Sequence, residues 1–173
     1  MTLRREPLIE RDPLAPDEAK TPALVDRVGR AGFAVGAALI VIGGLVAAVT
    51  GPLELAKGSW LAAYLVLVAG VAQCCLAAQH RVLRTADASA ARLRATLAAW
   101  NGGNLLVIVG TLTATPIVVD AGGVLLLAAL VAAMAATWAH RALARAVLYR
   151  VMLAALIISI PIGLTLAHVR AAG

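Results

Sequence analysis

His80 and His140 each stand directly before an arginine, in Gln79-His80-Arg81 and Ala139-His140-Arg141, at equivalent ends of two apolar runs. Imidazole is the usual axial ligand of a b-type haem, so two histidines on neighbouring helices could clamp one iron and pass electrons. The arginine behind each of them favours a simpler arrangement, a ring reaching from a helix end toward the headgroups, because haem ligands in a membrane lie deeper in the bundle. His168 falls at the opposite end of its own run and cannot join the pair.

Amides are the second source of chemistry. Gln73, Asn101 and Asn104 stand inside apolar runs, where an unpaired amide is costly. Gln73 lies seven residues before His80 and Asn101 seven residues after Arg94. At ~1.5 Å per residue both are about 10 Å in from the same membrane face. Asn104 is one turn deeper, on much the same side of its helix. A polar notch made of these amides would take a small solute or an ion. The reading the residues favour is hydrogen bonding between helices two and three, at about 0.6 to 2 kcal/mol per contact. No Asp, Glu, Lys or Arg falls in the interior of a run, which disfavours a proton-coupled pump or antiporter.

Cys74 and Cys75 are adjacent. Neighbours on a helix point about 100° apart, so the two thiols cannot jointly grip one metal and read as small buried side chains. There is no phosphate-binding glycine loop, no HExxH, no GxSxG, no CxxC and no group of carboxylates at metal spacing. The expectation is a protein that is not an enzyme, with no metal and no cofactor, haem b being the alternative.

These side chains need a scaffold, and the composition says what kind. Of 173 residues, 62% are hydrophobic and 14% charged, against roughly 45–50% and 25% in a soluble domain. The bilayer must be the solvent. A net charge of +6 does not imply nucleic acid, because the basic residues lie between apolar runs rather than on one solvated face. The fold class is an all-α integral membrane bundle of about five transmembrane helices, at about 31–49, 60–79, 95–114, 118–139 and 151–167, within a bundle covering 31–170. Thr50-Gly51-Pro52, His80-Arg81, Pro116, His140-Arg141 and His168-Val169-Arg170 end the runs. Residues 1–30, with Pro7, Pro13, Pro16 and Pro22 and near-balanced charge, read as a disordered cytosolic tail, too long and too acidic for a cleaved signal peptide. The connections are too short to house a catalytic domain.

Arginine sets the orientation. Arg81, Arg84, Arg92 and Arg94 fill the second connection and Arg141, Arg145 and Arg150 the fourth, whereas the first carries only Lys57 and the third no basic residue. The positive-inside rule places the N-terminus in the cytosol and, after five crossings, the C-terminus outside. Trp60 and Tyr64 then fall near the outer surface and Trp100, Trp138 and Tyr149 toward the inner one, as aromatic belts.

The shared His-Arg endings could record a duplicated hairpin, although Ala-, Leu- and Val-rich runs align with almost anything. Gly32 and Gly36 form a GxxxG with Gly43-Gly44 two turns on, and Gly103 and Gly110 are a heptad apart beside the amide face. Both spacings allow close helix packing, within the bundle in preference to another chain. Pro161, near Ser159, predicts a kink in the fifth helix. The Ala, Val, Leu and Arg bias with almost no Lys points to a high-GC bacterial genome and hence to the inner membrane.

Function is the least specified part of this reading. A non-enzymatic subunit or accessory partner of a larger membrane assembly, in contact with lipid and with other membrane subunits, leads. A small-solute carrier or channel built on the amide notch and a bis-histidine haem protein follow. Reporter fusions at Lys57, Asp87, Asp120, Arg145 and Gly173 are expected to read outside, inside, outside, inside and outside. An inversion at Asp87 or Arg145 overturns the orientation.

Overall fold

An apolar chain with no water to satisfy its main-chain polar groups closes those bonds within helices. The computed structural model describes residues 15–83, 89–137, 149–158 and 160, and every regular element among them is helical. Helix α1 spans Ala15–Thr50. Helix α2 is continuous but made of three stretches, Gly58–Tyr64, Leu65–Ala72 and Gln73–Leu83, the middle one a π-helix. Then come α3, Ala90–Leu112, α4, Pro116–Thr137, and α5, Tyr149–Ile158. The first four contain apolar stretches long enough to cross a membrane, Ala23–Thr50, Gly58–Gln79, Ala90–Leu112 and Pro116–Ala136.

Several boundaries move from their expected places, each for a local reason. Helix α1 begins at Ala15 and not at Ala31, so part of the stretch read as tail is helix. Pro16 is tolerated in a first turn, while Pro22 inside this extension removes one main-chain donor. Helix α3 begins at Ala90 and not at Ala95, because the Ser89 hydroxyl accepts from the Arg92 main-chain N–H at 3.5 Å. Arg92 and Arg94, expected in a loop, are therefore exposed residues of its first turns. Helix α4 starts on Pro116, where a missing N–H leaves no extra vacancy in the ladder. The fifth run is described as helix over Tyr149–Ile158 and at Ile160; Ser159, Pro161 and the remainder of the expected helix, like residues 1–14 and His140, lie outside the described residues.

Packing follows from the glycines. Val25, Gly29, Gly32, Gly36 and Gly43 form the buried stripe of α1, a heptad pattern, and α2 lies in it. A methyl group added at Gly36 would come within 2.9 Å of the Gly70 carbonyl oxygen, and one at Gly70 within 3.1 Å of the Gly36 carbonyl oxygen. The two main chains therefore touch. The same device joins α3 to α4, where a methyl at Gly122 would meet the Gly103 carbonyl oxygen at 2.7 Å and one at Gly110 the Val119 nitrogen at 2.7 Å.

The result is two antiparallel hairpins. Their turns share one chain reversal, with Leu55 N–H donating to Thr50 C=O at 3.0 Å and Thr115 N–H to Gly110 C=O at 2.8 Å. Such an ending needs a left-handed residue, supplied here by Glu54 (φ 49°) and Ala114 (φ 54°) where glycine is usual. The Lys57 ammonium donates to the Thr111 carbonyl, so both turns lie at the same end. Glu54, Lys57 and Asp120 are at or near this end, while Arg27, Arg30, Arg92, Arg94 and Arg150 belong to the other.

Between the hairpins lies the core. Leu76 of α2, Trp100 of α3, Leu130 of α4 and Leu153 of α5 are all fully buried there. Trp100, expected in an interfacial belt, is 0% exposed. Ala72, Ala77, Ala129 and Ala133 of the same cluster leave a volume that only a large ring fills.

Two substitutions test this frame by reversible unfolding in detergent. Gly36→Leu is expected to destabilise by about 3 kcal/mol or more, since neither main chain can give way. Ala114→Gly is expected to stabilise by about 0.5–1 kcal/mol by relieving the left-handed alanine. A neutral Gly36→Leu would remove the close crossing as the basis of the fold.

Candidate functional site

The amides expected to form a notch are all placed, and they do different things. Gln73 is the first residue after the π-helical stretch of α2, the kind of local widening that re-aims the side chains following it. It is 1% exposed, and its amide donates from Nε2 to the Gly32 carbonyl at 3.1 Å. That carbonyl belongs to α1, so Gln73 bonds to the first helix and not to the third. Gly32 is itself a close crossing, since a methyl there would come within 2.6 Å of Leu97 Cδ1 of α3 and 3.1 Å of Ala77 Cβ of α2.

Asn101 and Asn104 turn back onto their own helix. Asn101 Nδ2 donates to the Leu97 carbonyl at 2.7 Å and Asn104 Nδ2 to the Trp100 carbonyl at 2.8 Å, each one turn earlier. Asn101 is half-buried and Asn104 only 4% exposed. No hydrogen bond joins any two of Gln73, Asn101 and Asn104. Their acceptor ends are the unusual feature: Gln73 Oε1 and Asn104 Oδ1 are buried without a partner, as is the indole Nε1 of Trp100. Near the hairpin turns, Tyr64 is a fourth case; its ring stacks on Trp60 with centroids 5.2 Å apart, and its buried hydroxyl has no partner.

A further amide, Gln79, bonds to two neighbouring helices. It is 8% exposed, donates from Nε2 to the Ala133 carbonyl of α4 at 3.1 Å, and accepts at Oε1 from the Tyr149 hydroxyl at 2.8 Å. One side chain thus joins α2, α4 and α5. Sequence reasoning read Gln79 as the end of a run because His80 and Arg81 follow it. The available signal was its position three residues past Leu76, on the buried side of the helix.

The remaining expected residues are quickly placed. Gly32 faces both α3 and α2, Gly36 faces α2, and Gly103 and Gly110 face α4, so both glycine pairs are used within the chain. His80 lies in the last turns of α2 with its side chain outside the described residues, and His140 is outside them altogether, so the haem pairing has no geometry here. Cys74 Sγ lies 3.6 Å from the Phe33 carbonyl, and both Cys74 and Cys75 are free thiols. Among the described residues no three His, Cys, Asp or Glu side chains gather as a metal site.

Compared with known proteins, the chain matches no family model, no curated protein and no solved structure.

The Gln79 junction makes a quantitative prediction. In a double-mutant cycle of Gln79→Leu and Tyr149→Phe, followed by unfolding in one detergent, the coupling energy is expected to be about 0.6–1.7 kcal/mol, the range for hydrogen bonds between membrane helices. Strict additivity of the two changes would mean that α5 docks without this bond.

Proposed function

We propose that the chain is a five-span bacterial inner-membrane protein, with its N-terminus in the cytosol and its C-terminus outside, that serves without catalysis as a subunit or accessory partner of a larger membrane assembly. The orientation is supported by the separation of the arginines from Glu54, Lys57 and Asp120 at the two ends of the bundle. The fifth span is supported by α5, whose apolar sequence continues from Val151 to Ala167.

The observation that carries the accessory role is where the buried amide N–H groups go. Gln73 and Gln79 donate to main-chain carbonyls of neighbouring helices, and Asn101 and Asn104 to those of their own. Polarity inside the spans is directed at holding helices in place. Helix α1 adds a broad surface to this scaffold: only 17% of its most apolar stretch is buried, against 44% for α2.

A second reading, a site for a small polar guest in the amide notch, is favoured by one specific observation. Two carbonyl acceptors and one N–H donor, Gln73 Oε1, Asn104 Oδ1 and Trp100 Nε1, are buried without partners. A water or a small neutral solute offering two donors and an acceptor would complement them.

One variant separates the readings. If the amides only hold helices, Asn104→Leu removes an orphaned acceptor, so the unfolding midpoint is expected to hold or rise, and the complex recovered in a mild detergent to keep its size. If they hold a guest, the same change lowers the midpoint and shifts the indole N–H resonance of Trp100. Recovery of the wild-type chain as a lone 17.6 kDa polypeptide under the mildest extraction would sink the subunit reading.

A further inference from the structure

At the arginine end of the first hairpin, α1 and α2 leave a groove of about 220 Å³ lined by Gly29, Arg30, Phe33, Ala77 and Ala78. Its origin is steric. The helices are held together farther along by Gly36 and Gly70, and the residues facing the gap at this end are glycine and alanine, too small to fill it. Its rim is of another character. Arg30 is exposed and is the last charged residue before the uncharged run from Ala31, and Phe33, one turn deeper, is 51% exposed. A fixed cation thus stands at the mouth of an apolar slot at the depth where charge gives way to hydrocarbon.

We infer that this groove binds one anionic phospholipid, its phosphate held by the Arg30 guanidinium and the upper part of an acyl chain lying over Phe33, Ala77 and Ala78. The guanidinium is a planar fork suited to two oxygens of one phosphate and sheds water more readily than an ammonium. Charge complementarity selects the headgroup, because the Arg30 guanidinium at the mouth, with exposed Arg27 one turn before it, repels a second cation and attracts a net negative lipid. Free phosphate could use the arginine but not the slot. A lipid uses both.

The inference rests on the reading that the chain spans a membrane with this end among the headgroups. Resistance of the chain to alkaline carbonate extraction tests that reading separately. The groove is tested by native mass spectrometry of the full chain with equimolar phosphatidylglycerol and phosphatidylcholine, and with glycerol phosphate as a competitor. The wild type is expected to retain one phosphatidylglycerol with a severalfold preference. Arg30→Gln, which keeps an uncharged polar side chain of similar reach, should reduce that preference about fivefold, the effect of one arginine near an anionic surface. Arg94→Gln, an exposed arginine outside the groove, should leave it unchanged. Ala78→Leu, a half-buried position that fills the slot, should weaken retention of both lipids. Absence of a wild-type preference, equal losses from Arg30→Gln and Arg94→Gln, or full displacement by glycerol phosphate would each overturn the proposal while leaving the membrane reading intact.

Discussion

Main chain against main chain is the contact on which the rest of this structure depends. Within lipid, burying one apolar side chain against another gains little over burying it in acyl chains, so helices hold together where their atoms pack more densely than lipid packs around them. Gly36 against Gly70 and Gly103 against Gly122 provide this by removing side chains from both partners. Carbonyl oxygens then approach the facing helix closely enough for many weak attractions to add up. Each hairpin is held along its length by such a crossing.

The polar groups then divide by what they join. Gln79 uses both ends of its amide, to Ala133 and to Tyr149, and so fixes α5 against the hairpins. Gln73 uses only its donor; its acceptor, like the acceptor of Asn104 and the indole N–H of Trp100, is buried without a partner. Each such orphan carries a desolvation cost that an apolar residue of similar shape would avoid.

The sequence made the frame legible because the bilayer leaves few alternatives. Run lengths near 20 residues place the helices, and glycines at heptad spacing mark where they meet. Both glycine pairs, Gly32 with Gly36 and Gly103 with Gly110, do lie at helix contacts, the first pair against α2 and, at Gly32, also α3, and the second against α4. Features that depend on three-dimensional neighbours were not legible. Trp100 sits at the right depth for an interfacial belt, and only the small side chains around it on other helices make it a core residue. The direction of Gln73 depends on the π-helical stretch before it, for which Leu65–Ala72 carries no compositional sign. Helix ends moved where a single cap, Ser89, or a first-turn proline, Pro116, extends a helix past its apolar run.

The turn between α3 and α4 has only Thr113, Ala114 and Thr115 outside regular helix. A link that short keeps the end of α3 and the start of α4 next to each other, so the two helices cannot part at this end without unwinding. The link from Gly51 to Lys57 is more than twice as long and leaves α1 and α2 more slack at the same end. Sliding of helix on helix is therefore restrained more tightly in the second hairpin than in the first.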